Sequence, residues 1–506
     1  MSKNLPFTNI ALAFSGGGYR AATFSLGALS LLEKVGLLPS VSAISSVSGG
    51  SITAVKYAQS LIDDESFDKF YNEYYQYLNE DTLGDNALGH LKNKKLWKQK
   101  ENFHKKRNVI NSYAIEYNRF TKHRTFGNFD DYAKKETSTL KRIIINSADF
   151  TASNTFRMQN LLTPSYDFGH GKLCEEYKEF WRKIKLGDAL GASACFPGAF
   201  EPIRYPNDFV ADQAHLKAIG LMDGGIIDNQ GTSSYMTVKK KNNKHNLFFV
   251  SDVASPYVYE PYEFTKSNFI TRLSSVLANP WGMLLIVTMT IGFFIKQWWT
   301  LYSIGLLISA LMLGIQVGLI WASRELKKEA SFRTGLKLPS SKIGYYLLDR
   351  LNSFLHMNSI IFLKSARRGH ANFLYERYPD KSITSTIYEL RCKEGKPEFS
   401  RVWKYVKPYI GDIPNEIKNI SEKVAKFPTT LWFSDAHKQE GALDDLIACG
   451  EFTACYNLIE HIVAQNKDEI GTNSEIGQLF ENLIGLWKEF AVNPKYLIHF
   501  RLGLQP

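Results

Sequence analysis

Residues 9–20 of the chain read NIALAFSGGGYR, an apolar run followed by a serine, three glycines, a tyrosine and an arginine. A short apolar run that ends in Ser-Gly-Gly-Gly is typical of a buried strand that enters a glycine turn. Residues 20–35 then place apolar side chains at helical spacing and stop at Gly36. The stretch therefore predicts a strand, a glycine turn and a helix in succession.

The same order returns at residues 41–62. Residues 41–48, VSAISSVS, form a second strand candidate, and Gly49 and Gly50 precede a helix expected at about 52–62. Two strand–glycine–helix units in succession indicate an α/β fold with a mostly parallel central sheet. Further strands are expected at residues 142–148, 247–252 and 382–391, and a helical insertion at about 65–140.

The composition narrows the class of protein. Of 506 residues, 22% are charged and 44% hydrophobic, which excludes a mostly disordered chain and a collagen-like one. The formal net charge of +11 predicts anionic partners, a membrane surface first and nucleic acid second. Five scattered cysteines without a CxxC pair indicate reduced thiols in a cytosolic compartment. The first residues lack the long apolar stretch of a signal peptide, so export by that route is not expected.

A charge-poor segment interrupts the chain at residues 273–323. Its 51 residues contain one charged side chain, Lys296, and are long enough to cross a hydrocarbon layer about 30 Å thick twice. As helices, residues 281–298 would rise about 26 Å and residues 299–321 about 33 Å. Each half begins and ends with tryptophan, as in the aromatic belts of membrane helices.

Basic residues flank this segment on both sides, Arg272 before it and Arg324, Lys327 and Lys328 after it. Because basic flanks favour the cytoplasmic face, we expect a two-helix, multi-pass membrane anchor with the rest of the protein on the cytoplasmic side. A pair of core helices and a re-entrant loop are the alternatives. The expected domains are residues 1–265 (α/β), residues 273–323 (transmembrane helical hairpin) and residues 329–506 (mainly helical, and able to complete the first domain).

The first glycine turn predicts an anion site. Gly16, Gly17 and Gly18 allow successive backbone N–H groups to point at one spot, at the positive end of the following helix dipole. A phosphate loop would require GxxxxGK[ST], and a dinucleotide site GxGxxG, whereas the chain has GGGxR. An oxyanion hole, which binds the charge that develops on a carbonyl oxygen, is the better interpretation.

The second turn, residues 46–50, has the shape of the G-x-S-x-G nucleophile elbow, with Ser46 in place of the first glycine. Such a sharp turn exposes the hydroxyl of its central serine, here Ser48, and Gly49 would add its N–H to the oxyanion hole. A Ser-Gly-rich turn alone is more often only a turn. Its pairing with the first glycine turn favours a nucleophile.

A serine nucleophile requires a base, and no histidine of the chain lies in a motif that indicates one. Asp223 is the candidate, because the glycines that follow it, Gly224 and Gly225, allow its backbone to approach another segment closely. The alternative is an ordinary Asp-Gly hairpin turn.

Taken together, the three motifs resemble the patatin-like phospholipases, a family related to cytosolic phospholipase A2 and fungal phospholipase B. The family pattern is a GGGxR turn, here residues 16–20, a GxSxG elbow, here around Ser48, and a DGG aspartate, here Asp223. Residues 142–156, RIIINSADFTASNTF, and 192–203, ASACFPGAFEPI, also look like the family. The resemblance covers about residues 8–255 and is weaker after the charge-poor segment.

The resemblance implies a patatin-like three-layer α/β fold and a Ser-Asp dyad that needs no histidine, metal or cofactor. Ser48 would attack an ester carbonyl and Asp223 would accept its proton. The oxyanion would be held by the amides of Gly16, Gly17, Gly18 and Gly49, and the turns supported by Gly50, Gly224 and Gly225. Arg20 would either steady the first turn or contact a lipid phosphate. The departures from the pattern are Ser46 and the Asp228-Asn229-Gln230 stretch.

These features favour a membrane-anchored serine lipid acyl hydrolase of the phospholipase A or lysophospholipase type, acting on membrane phospholipids. A lipid acyltransferase on the same dyad and an inactive lipid-binding scaffold are the alternatives. Residues 92–107 carry eight lysines and arginines against one acid, with Trp97 and Phe103 between them. We expect this segment to contact anionic lipid headgroups rather than nucleic acid, the simpler alternative being a solvated helix face.

Overall fold

The computed structural model of the chain describes residues 7–80, 82–162, 167–211, 213, 215–237, 244–254, 350, 352–354, 356–393, 396–397, 403–430 and 433–504. The chain divides into two compact units, residues 1–256 with 366–506 and residues 257–365. Within the described ranges, no helix combines the length and the hydropathy needed to cross a bilayer. The hairpin predicted at residues 273–323 lies outside these ranges.

The strands are β1 (Ile10–Phe14), β2 (Val41–Val47), β3 (Arg142–Asp149), β4 (Asn154–Gln159), β5 (Ile203–Tyr205), β6 (Ile219–Asp223), β7 (Leu247–Asp252), β8 (Ser382–Thr386), β9 (Cys392–Lys393) and β10 (Lys396–Pro397). The first eight form one sheet in the order β5-β6-β3-β2-β1-β7-β8, with β4 also paired to β3, and β9 pairs with β10. Neighbours from β3 to β8 along this order are parallel, and the pairs of β3 with β4 and β6 and of β5 with β6 are antiparallel. The expected mostly parallel sheet is confirmed.

The α-helices are α1 (Gly18–Lys34), α2 (Gly49–Ile62), α3 (Phe67–Glu80), α4 (Leu83–Lys92), α5 (Val109–Phe120), α6 (Phe126–Ala133), α7 (Glu175–Lys178), α8 (Leu186–Ser193), α9 (Ser233–Met236), α10 (Leu363–Arg377), α11 (Trp403–Ile410), α12 (Asn415–Ala425), α13 (Asp435–Gln439), α14 (Ala442–Gln465), α15 (Glu475–Val492) and α16 (Tyr496–Leu502). A π-helical stretch, Met357–Phe362, belongs to the second unit. The helical insertion expected at about 65–140 corresponds to α3–α6.

Helices cover both faces of the sheet, which gives three layers. Along β1, Ile10 and Phe14 enter one buried core, whereas Ala11 and Ala13 enter the other together with Leu374 of α10. Alternate residues of a strand point to opposite faces, so a sheet buried on both faces needs apolar residues at nearly every position. This explains why β1 reads as an unbroken apolar run.

The N-terminal helix α1 packs directly against α14 from the far end of the chain. A Cβ atom placed on Gly27 would lie 2.2 Å from the carbonyl oxygen of Ile447, and one on Gly450 would lie 2.2 Å from that of Phe24. Glycine at both positions therefore allows the two helix backbones to touch. The C-terminal region supplies both this helix and β8, so it completes the layers that β1 and α1 begin.

The register of β3 brings the ends of two strands together. Val47, the last residue of β2, pairs with Asn146, and Asp223, the last residue of β6, pairs with the next residue of β3, Ser147. Since β4 occupies the other edge of β3 at these positions, β2 and β6 must share one edge and meet end to end. Ser48, which follows Val47, is thus placed beside Asp223.

The basic segment, residues 92–107, begins at the last residue of α4. Seven of its eight lysines and arginines are exposed, and the eighth, Lys105, is buried in an ion pair with Asp188 at 2.7 Å. Phe103 is exposed, whereas Trp97 is buried and donates a hydrogen bond from its indole nitrogen to the carbonyl of His90. The two aromatic residues of this segment therefore have different environments, one in solvent and one in the fold.

Candidate active site

Ser48 lies in the sharp turn between β2 and α2. Its φ of 50° and ψ of −122° place a non-glycine residue in a sparsely populated backbone region, which costs about 1–3 kcal/mol. The N–H of Ser48 donates to the hydroxyl of Ser193 at 2.9 Å, and that hydroxyl donates to the carbonyl of Asn146 at 2.7 Å. These bonds hold the turn in the shape of a nucleophile elbow.

The glycine turn before α1 presents backbone N–H groups beside Ser48. Gly17 and Gly18 have φ values of 152° and 59°, a left-handed region that favours glycine. In the described part of the chain, no hydrogen bond uses the amides of Gly17, Gly18 or Gly49. The predicted donor Gly16 needs correction, because its N–H already donates to the carbonyl of Asn229 at 2.8 Å. Three of the four predicted donors thus remain available.

The two turns and the Asp223 loop pack backbone against backbone. A Cβ atom on Gly49 would lie 1.9 Å from the carbonyl oxygen of Gly18, and one on Gly50 would lie 2.6 Å from that of Ser15. On Gly224 it would lie 2.5 Å from the carbonyl oxygen of Asn146. Side chains at these positions would push the turns apart.

Asp223 ends β6 with a buried carboxyl group that accepts the N–H of Gly225 at 2.7 Å. Burial raises the pKa of Asp223 from 3.8 to about 6. The Ser48 hydroxyl, which faces this carboxyl, opposes that rise by hydrogen bonding, as do the Gly225 amide and the positive charge of Arg367. Asp223 is therefore an ionised, proton-accepting group above pH of about 6.

The side chains of Ser48 and Asp223 line one cavity of about 440 Å³. Its walls are mainly apolar, and Leu88 and Phe196 line it while remaining 45% and 52% exposed. No histidine belongs to the lining that the structure describes. Likewise, no group of three or more His, Cys, Asp or Glu residues within the described ranges is arranged to hold a metal ion. The arrangement offers a serine, a carboxylate base and free amides in an apolar pocket.

Comparison with known proteins gives one sequence match. Residues 12–234 match the family model described as patatin-like phospholipase. The chain contains a patatin-like phospholipase domain. This match supports lipid acyl hydrolase activity in general, while the narrower relation to cytosolic phospholipase A2 and fungal phospholipase B stays a prediction.

Two further comparisons add little to this assignment. The crystal structure of VipD from Legionella pneumophila is similar with 12% identity over 97% of this chain and 91% of that one, at a TM-score of 0.24. A likeness at that score supports no argument about this chain. No curated protein matches the sequence.

In the patatin-like domain, the Arg20 side chain hydrogen-bonds to backbone carbonyls of other segments. Its guanidinium group donates to the carbonyls of Val253 and Phe427, both at 2.6 Å, and to that of Ala425 at 3.3 Å. It is 7% exposed, and it does not line the described cavity. Of its two predicted roles, these contacts favour steadying the turn.

Neither departure from the patatin pattern disturbs the site. The hydroxyl of Ser46 is buried and donates to the carbonyl of Ile144 at 3.3 Å, within the sheet. The carboxylate of Asp228 accepts three backbone N–H groups, from Gln230, Gly231 and Ser233. Both residues act as local hydrogen-bonding partners that hold the patatin-like core together.

Several residues at the site carried no sequence signal. Asn146 donates from its side chain to the Ser45 hydroxyl and the Ser46 carbonyl, and so ties β3 to the elbow. Thr430 accepts the N–H of Tyr19 at 2.8 Å, which brings the C-terminal region onto the glycine turn. Arg367 lines the cavity from α10. The patatin-like residues alone therefore do not complete the pocket.

Proposed function

We propose that the protein is a serine lipid acyl hydrolase of the phospholipase A or lysophospholipase type, with Ser48 as nucleophile and Asp223 as base. The observation that carries the proposal is the meeting of a strained serine, a buried carboxylate and free backbone amides in one apolar cavity. A carboxylate that receives the serine proton directly needs no histidine between them.

In the first half of the reaction, the Ser48 hydroxyl oxygen attacks the ester carbonyl while its proton passes to the Asp223 carboxylate. The amides of Gly17, Gly18 and Gly49 then donate to the oxyanion. Collapse of the tetrahedral intermediate breaks the ester C–O bond, and the departing alcohol takes the proton from Asp223. In the second half, Asp223 removes a proton from water, and the resulting hydroxide attacks the acyl-serine ester. Collapse of this second tetrahedral intermediate breaks the bond between the acyl carbon and the Ser48 oxygen, which takes the proton back from Asp223 as the fatty acid leaves.

A lipid acyltransferase on the same dyad differs only in the second acceptor, and an inactive lipid-binding scaffold would give no product. To separate these outcomes, the protein would be incubated with a phospholipid bearing labelled acyl chains, with and without excess lysolipid. We expect labelled free fatty acid in both samples by mass spectrometry. Label found only in the acceptor lipid would indicate a transferase, and unchanged substrate would contradict both enzymatic proposals.

We further propose that the protein works while bound to a membrane, on the cytoplasmic face, through two features. One is the predicted hairpin at residues 273–323. The other is the basic segment, whose seven exposed cationic side chains follow the helix that carries Leu88. Leu88 and Phe196 expose apolar surface at the cavity, and cationic residues beside such a surface suit anionic lipid headgroups.

Replacing residues 273–323 with a short Gly/Ser linker is expected to release the protein into the soluble fraction and to preserve hydrolysis of dispersed short-chain esters. In that background, glutamine at Lys94, Lys95, Lys98 and Lys100 should weaken binding to anionic vesicles at least tenfold, since each contact contributes about 1 kcal/mol. Co-sedimentation at increasing salt measures this.

The control carries glutamine at four exposed lysines elsewhere: Lys135, Lys172, Lys467 and Lys488. Equal binding by the two fourfold variants would contradict the role of the basic segment. A linker variant that stays in the membrane fraction after a high-salt wash would contradict the role of the hairpin.

A further inference from the structure

Arg367 is a cationic residue inside the cavity to which neither the sequence motifs nor the dyad chemistry assigns a role. It lies on α10, far along the sequence from the glycine turn and the elbow. Its side chain nevertheless lines the same cavity as Ser48 and Asp223. Its Nε donates to the carbonyl of Gly225 at 3.3 Å. That bond fixes the guanidinium plane next to the Asp223 loop.

The two terminal nitrogens of Arg367 are available for a ligand. In the described part of the chain, this residue forms no ion pair, and its single hydrogen bond uses Nε. A partly buried guanidinium group whose terminal nitrogens have no hydrogen-bond acceptor loses hydration without regaining it from the protein. An anion that enters the cavity would supply two oxygen acceptors to this planar fork.

The carboxylates whose charges act on Arg367 are those of Asp223, Asp228 and Asp252. Asp228 is held by backbone N–H groups, and Asp252 accepts the Gln230 side-chain amide at 2.6 Å and the Ala254 N–H at 2.9 Å. These bonds keep the two carboxylates directed at their own donors. The negative charges of these carboxylates therefore act on Arg367 from a distance, without hydrogen bonds to its terminal nitrogens. Those nitrogens remain available to a ligand in the cavity.

We propose that Arg367 binds the phosphate of a glycerophospholipid substrate. This inference rests on the proposed function, because it names the substrate class of the same site. In a glycerophospholipid, the phosphate and the nearest acyl ester are attached to adjacent glycerol carbons, so a phosphate-binding group must line the cavity that holds the nucleophile. Arg367 meets this condition, whereas Arg20, whose donors go to main-chain carbonyls, does not.

The test compares Arg367→Gln with the wild type on a phospholipid and on a diacylglycerol that carries the same acyl chains, both in neutral detergent micelles. Loss of a charge-assisted bidentate contact is expected to lower kcat/KM on the phospholipid about 10- to 100-fold, mainly through KM. On the diacylglycerol, the change should stay below about threefold. Arg367→Lys, which keeps the charge without the fork, should fall between.

Arg367 also lowers the pKa of Asp223, so its removal shifts the acid limb of both pH profiles upward, and rates are compared on the plateau well above pH 6. Arg368→Gln, which removes the same charge from the same helix outside the described cavity lining, is the control and should keep the wild-type preference. Equal losses on both lipids, or no loss on the phospholipid, would overturn the inference and leave the hydrolase intact. A wild type that cleaves neither lipid would instead refute the proposed function.

Discussion

Replacing Ser48 with alanine, or Asp223 with asparagine, is expected to lower ester hydrolysis by about 10⁴-fold or more, to the background of the assay. Without the Ser48 oxygen no acyl-enzyme forms, and without an ionised Asp223 neither the serine nor the water loses its proton. Because the two groups act as one unit, the double variant should be no slower than either single one. Release of fatty acid from a dispersed ester measures all three.

The two variants should differ in stability. Since the pKa of Asp223 is raised in the folded state, ionisation costs stability progressively between pH 3.8 and about 6, and fully above that range. At pH 7.5, Asp223→Asn should therefore raise the free energy of unfolding by up to about 3 kcal/mol. The variant should accordingly unfold at a higher temperature than the wild type. A lower unfolding temperature would mean that the carboxylate is structurally required.

Matched substitutions keep this test specific. Ser153 is a second serine with φ of 50°, and it is exposed, while Asp167 is an exposed aspartate. Ser153→Ala and Asp167→Asn should retain full activity. Full activity in Ser48→Ala would refute the nucleophile, and a comparable loss on replacing any one histidine would indicate a triad instead.

Substituting Gly49 with alanine is expected to give the second largest loss, about 10²- to 10³-fold in kcat, the usual effect of removing one oxyanion-hole donor. The new Cβ would lie 1.9 Å from the carbonyl oxygen of Gly18, so the elbow and the glycine turn must separate. The amides of Gly18 and Gly49 would then no longer donate hydrogen bonds to the same substrate oxyanion. Single-turnover kinetics on a chromogenic ester measure the acylation step directly.

Gly485→Ala is the control, because a Cβ at this helical position meets nothing within 4 Å. It should leave kcat unchanged and stabilise the fold by about 0.5–1 kcal/mol, the difference in helix propensity. If Gly49→Ala is folded by circular dichroism and retains wild-type kcat, the amides of these turns do not form the oxyanion hole.

The parts of the fold that could be predicted are those encoded locally. An apolar run followed by glycines identified β1, β2 and the two turns, because strand burial and glycine conformation depend on neighbouring residues. Boundaries shifted by two or three residues, since α1 and α2 begin within the glycine turns, at Gly18 and Gly49. Helix starts are set by turn geometry, which apolar spacing does not report.

What the sequence did not reveal depends on residues far apart in the chain. The hydrogen bond of Arg367 spans 142 residues, and that between Arg20 and Phe427 spans 407. The contacts that favour a structural role for Arg20 are of this kind. The occupied amide of Gly16 likewise depends on Asn229, whose position follows from the meeting of β2 and β6 rather than from a local motif.

The contact between α1 and α14 has a consequence for biosynthesis. Translation proceeds from the N-terminus, and the first unit resumes only at residue 366, after residues 257–365 have been made. Until β8 and α14 emerge from the ribosome, one edge of β7 is unpaired and the surface of α1 around Gly27 is bare. Up to that stage, the nascent first unit therefore has an unpaired strand edge and an uncovered helix surface. Exposed strand edges of this kind favour association with other chains, so we expect chaperones to bind the nascent chain at this stage.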